Sequence, residues 1–125
     1  MKKWFVSFVA MIAVFTLAAC NSDETEGYVT IQIDEVAKKM EDGYIVLDVR
    51  EVNEFAEGHI PGAQNKPLSL LQTADFTELS KDEKYIIICR SGNRSQTASD
   101  IFQKEGYSIV NVAQGMSSWT GDVEK

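Results

Sequence analysis

Residues 85–89, Tyr-Ile-Ile-Ile-Cys, form an unbroken apolar, β-branched run that passes directly into Arg90-Ser91-Gly92-Asn93-Arg94-Ser95. Such a run reads as a strand covered on both faces, as in parallel sheets. After Ser95 the apolar residues recur at helical spacing, with Ala98, Ile101 and Phe102 on one face. A buried strand turning through a short glycine-containing loop into a helix constrains the chain to α/β architecture.

The remaining segments agree with that reading. Residues 28–31 predict a short strand, and Asp34 is placed to cap a helix carrying Val36, Ala37 and Met40, which Gly43 ends. Residues 44–49 predict a second buried strand, and 51–58 a short acidic helix with Phe55 inward. Pro61-Gly62 marks a turn, 63–66 a brief strand, and 68–79 a partly helical stretch with Leu68, Leu71 and Phe76 apolar. Gly106 ends the helix after the cysteine loop, 107–113 predict a last strand and 116–119 a last short helix. The expectation is one α/β domain over 28–121, a largely parallel sheet of about five short strands with helices on both faces. Ligands of such sheets sit beyond the carboxyl ends of the strands, so Asp48 and Cys89 should share one rim.

The first twenty residues differ from the rest. A basic start, Met1-Lys2-Lys3, precedes an uncharged run ending Leu17-Ala18-Ala19-Cys20. This is the layout of a secretory signal. The cysteine after Leu-Ala-Ala resembles a bacterial lipobox, which implies removal of residues 1–19, lipidation of Cys20 and an extracytoplasmic protein anchored to the cell membrane. A plain signal peptide and an uncleaved anchor helix are the alternatives. Polar, acidic residues 20–27 would then be a tether. Twelve Lys and Arg against 19 Asp and Glu, net −7, argue against nucleic acid as a partner. The loop arginines are local exceptions on an acidic body and suit a small anion. With Cys20 lipidated, Cys89 is the only free thiol, so no internal disulfide is expected. No metal site or cofactor is expected either, since His59 is the only histidine.

Cys89 falls where backbone N–H groups converge and a helix dipole favours negative charge. Arg90 and Arg94 add positive charge, Ser91 and Ser95 offer hydroxyl donors, and Gly92 lets the loop turn. A thiol there should ionise readily and act as a nucleophile toward an anionic substrate. The competing reading is a buried structural cysteine, which needs neither the arginines nor the glycine turn.

Several segments together resemble the rhodanese family. Leu47-Asp48-Val49-Arg50-Glu51, Glu54-Phe55 and Gly58-His59-Ile60-Pro61-Gly62-Ala63 look like its first signature. Residues 89–95 look like its active-site loop, and Val110-Asn111-Val112 with Gly115 and Trp119 like its closing segment. Met116 departs from the second glycine many members carry, which touches the shape of the last turn. The resemblance implies sulfur transfer. Cys89 would take a sulfane sulfur from thiosulfate or a similar anion as a persulfide and give it to cyanide or a thiol, such as that of a thioredoxin-like protein. Arg90, Ser91, Gly92, Asn93, Arg94 and Ser95 would bind the donor, with Asp48 and Arg50 as scaffold behind them. Glu51 and Glu54 read as a solvated or ion-paired face, His59 as a structural hydrogen-bonder, Trp119 as core or lid, and the whole as a monomer. One rival is a phosphatase or arsenate reductase of this architecture. Such enzymes use Cys-x5-Arg, whereas Cys89 to Arg94 is Cys-x4-Arg, one residue short for a tetrahedral oxyanion. The other rival is a non-catalytic sulfur-carrying or recognition module.

Overall fold

The computed structural model describes residues 27–125. The predicted leader 1–19, the lipidation site Cys20 and all but the last residue of the tether lie outside the described residues. The elements run β1 (Val29–Ile31), α1 (Val36–Glu41), β2 (Ile45–Asp48), α2 (Val52–Glu57), β3 (Gln64–Asn65), α3 (Leu68–Leu71), β4 (Lys84–Ile88), α4 (Asn93–Glu105) and β5 (Ser108–Val112), with 3-10 turns at Ile33–Glu35 and Met116–Ser118. All five strands are parallel, in the order β1-β5-β4-β2-β3. This is the single α/β domain that the alternating pattern predicted.

Period-two alternation divides the core between the two faces of the sheet. Leu47, Tyr85, Ile87, Cys89 and Ile109 face α3 and α4, where they meet Leu68, Leu71, Ala98 and Phe102. Phe76, Phe102 and Tyr107 close that side with ring centroids 5.2–6.0 Å apart. Val46, Ile86, Ile88, Val110 and Val112 face the other way, onto Val36 of α1 and Ile60. Burying each of these aliphatic side chains contributes about 1.5–3 kcal/mol, so the central strands β4 and β2 are the rigid floor of the molecule.

Three expectations change. Asp34 does not cap α1; it lies inside the 3-10 turn, whose start is closed by the Gln32 N–H donating to the Glu35 carboxylate at 2.7 Å. A glutamate three residues on reaches back to the first free amide, which a lone aspartate in mid-turn cannot do. The helix after the cysteine starts at Asn93, not after Ser95, because Gly92 adopts the left-handed conformation (φ 99°) that ends the loop. The chain stays folded past residue 121. His59 and Glu124 form an antiparallel bridge, with backbone bonds of 3.0 and 2.9 Å.

Candidate active site

Asp48 of β2 lies beside Ile88 of β4 in the sheet register, so the segments leaving these strands emerge on one rim. The loop after β4 is Cys89-Arg90-Ser91-Gly92. Cys89 is buried, only 1 % exposed, and the Gly92 N–H donates to its Sγ at 3.1 Å. Burial is the largest single influence on the thiol and pushes its pKa up. The Ser95 hydroxyl and the amides of Ser95, Gly92 and Ser91 together outweigh it and hold the thiol below its ordinary value. The Ser95 hydroxyl has one hydrogen, and the Gly92 carbonyl 3.1 Å away competes for it, so the amides are the steadier contribution.

Two glycines make this cradle possible. A Cβ on Gly92 would stand 2.2 Å from the Ala113 carbonyl oxygen, in addition to the strain of its positive φ. A Cβ on Gly115 would stand 2.3 Å from the Arg90 carbonyl and 2.4 Å from that of Cys89. The segment after β5 therefore lies directly against the cysteine loop. The Met116 N–H donates to Cys89 O at 2.8 Å. Arg90 O accepts from Ser117 twice, from its N–H at 3.0 Å and from its hydroxyl at 2.8 Å. These contacts were missed in the sequence, where only Gly115 signalled them.

The arginines separate into different roles. Arg94 does not point its charge freely at the sulfur: it makes two hydrogen bonds to Glu54 of α2, at 2.6 and 2.9 Å. Those bonds are the main reason the Glu54 carboxyl sits below, and Arg94 above, its ordinary value. Arg94 is thus a brace between α2 and the start of α4. Arg90 is exposed and, among the described residues, makes no ion pair. It borders a cleft of about 260 Å³ together with Arg50, Glu54, Glu57, Met116 and Ser117. Ser91 and Asn93 are exposed, and Ser95 is buried.

Asp48 and Arg50 form a buried pair behind the loop. Arg50 Nη2 lies 2.7 Å from Asp48 Oδ2 and 2.8 Å from the Gly58 carbonyl oxygen, while the Arg50 N–H returns to Asp48 Oδ1 at 3.0 Å. The Nε and Nη2 donors of Arg50 are thus directed at the scaffold, while the residue also borders the cleft. His59 stacks on Phe55, ring centroids 3.7 Å apart, and its Nδ1 lies 2.9 Å from the Phe55 carbonyl oxygen. Trp119 is half-buried against the α1 side of the core, and its Nε1 donates to Asp122 O. Among the described residues no cluster of His, Cys, Asp or Glu is arranged to hold a metal.

A parallel α/β sheet carrying a buried cysteine under converging amides, at the carboxyl end of its central strand, defines an α/β domain centred on one thiol. The profile of the rhodanese-like domain matches residues 32–122, and the chain belongs to that family. A rhodanese-related protein from Thermoplasma volcanium superimposes with a TM-score of 0.71 at 35 % identity, covering 78 % of this chain and 98 % of that one. A sulfurtransferase of Allochromatium vinosum is 34 % identical over 76 residues, 60 % of this chain and 70 % of the relative. YrkF of Bacillus subtilis is 40 % identical over 80 residues, 63 % of this chain, and the chain spans only 43 % of its length.

Proposed function

We propose that this domain is a sulfurtransferase that carries sulfane sulfur on Cys89, with thiosulfate or a similar small anion as donor and cyanide or a thiol as acceptor. The observation that carries the reading is the Cys89 sulfur, buried yet held toward the thiolate by hydrogen bonds from its own loop. Membership of a family with sulfurtransferases among its relatives supports it. The Cys89 thiolate attacks the outer sulfur of thiosulfate. A new S–S bond forms, the donor's S–S bond breaks, and sulfite leaves with the electron pair. The terminal persulfide sulfur replaces the thiolate as the acceptor of the loop hydrogen bonds. Cyanide then attacks that sulfur through carbon, thiocyanate departs and the thiolate returns; a thiol acceptor would leave as its own persulfide. Arg90, exposed beside the cleft, meets the incoming anion.

The test is intact mass of the protein after thiosulfate and then after cyanide. The wild type should gain one sulfur atom and lose it again, with thiocyanate released. Cys89→Ser should fold, gain no sulfur and release no thiocyanate. Thiocyanate formation at the wild-type rate by Cys89→Ser would overturn the assignment.

A further inference from the structure

The peptide between Arg90 and Ser91 is held from outside the loop. Its carbonyl, on Arg90, accepts both the N–H and the hydroxyl of Ser117. The next peptide along carries the Gly92 N–H, which donates to Cys89 Sγ at 3.1 Å. Each peptide is a rigid plane, so fixing the Arg90 carbonyl limits how the plane bearing the Gly92 N–H can turn. The neighbouring plane is held the same way, because Cys89 O accepts the Met116 N–H. Gly115 lets this strap close, since any side chain there would collide with both carbonyls.

We infer that Ser117 is a positioning residue for the chemistry at Cys89, its hydroxyl holding the Arg90–Ser91 peptide so that the loop presents the Gly92 N–H to the sulfur. Ser117 makes no hydrogen bond to the sulfur; it borders the cleft and acts through the Arg90 carbonyl. The inference rests on the sulfur-transfer reading for its bearing on turnover, although its geometry does not. Ser117 is exposed, so removing its hydroxyl opens no cavity in the core. A bond that aims a dipole at a charge should show in the ionisation of that charge, and packing alone would not move it.

The experiment follows iodoacetamide alkylation of Cys89 against pH in the full chain, read on the Cys89 peptide by mass spectrometry, for the wild type, Ser117→Ala and Ser117→Thr. Ser117→Ala should raise the midpoint by about half a pH unit, a roughly three-fold slower alkylation below the midpoint. Ser117→Thr keeps the hydroxyl and should follow the wild-type curve. An unchanged midpoint in Ser117→Ala overturns the inference, and so does an equal shift in both variants. No sulfur donor is involved. A protein that never takes sulfur from thiosulfate would therefore refute the sulfurtransferase reading while leaving the Ser117 result to stand or fall separately.

Discussion

The segments that leave β2 and β4 start side by side and are built on opposite plans. After β2 the work is done by side chains: Arg50 reaches back to the buried Asp48 and across to the half-buried Gly58 carbonyl. After β4 it is done by the backbone. Amides turn inward to Cys89, and carbonyls turn outward to Met116 and Ser117. The first plan spends full charges on rigidity. The second collects partial charges around one sulfur and keeps Arg90 outside. The Arg94–Glu54 pair joins the two. Charge in this rim is therefore a scaffold material, and the Cys89 sulfur is served by peptide dipoles and the Ser95 hydroxyl.

This contrast can be broken, and the largest effect should come from the side-chain plan. Asp48→Ala leaves the buried Arg50 guanidinium without its partner and should cost about 3–5 kcal/mol in urea unfolding. A loss under about 1 kcal/mol would show that the pair is incidental. Gly92→Ala attacks the backbone plan, forcing a Cβ toward Ala113 O at a positive φ. It should cost about 1–3 kcal/mol and slow Cys89 alkylation at neutral pH. Wild-type reactivity in a folded Gly92→Ala would separate the cradle from its geometry. The smallest effect belongs to the brace. Glu54→Gln should change stability by less than about 1 kcal/mol, because the pair is a quarter to a third exposed. Its pH dependence has a definite sign. Arg94 holds the folded Glu54 carboxyl below its ordinary value, so the stabilisation is complete above the unfolded value and fades as pH falls through the folded one. The gap between wild type and variant should therefore close on acidification below the ordinary carboxylate range. With Arg94 less compensated, the Michaelis constant for an anionic donor should also fall, and the effect should weaken with added salt.

The two plans were unequally legible in the sequence. The strands announced themselves, because both faces of residues 85–88 are covered and the apolar run admits no other reading. Asp48 and Arg50 stand two residues apart at a strand end, so their role as scaffold was readable locally. The partner of Arg94 was not, since Glu54 lies forty positions earlier and meets it only once α2 and α4 are placed. The free charge expected at Arg94 was lost to that contact. The limit of the loop was misread because its end depends on the sign of one glycine's φ, which composition does not encode. The strap escaped for a similar reason. Its bonds use main-chain groups that every residue owns, and the only side chain in it, the Ser117 hydroxyl, looks like any surface serine. The bridge from Glu124 to His59 is likewise mainly backbone.

The pairing of β1 with β5 sets an order of events in time. Val29 finds its place only against Val110, and the strap that holds the Cys89 and Arg90 carbonyls follows β5 in the chain. During synthesis, Cys89 is therefore made before the groups that orient its loop. Until residues 115–117 dock, the Cys89 and Arg90 carbonyls lack the donors that hold them in the folded domain. A chain cut before residue 115 would therefore contain Cys89 and all the residues of its loop, yet lack the partners of both carbonyls.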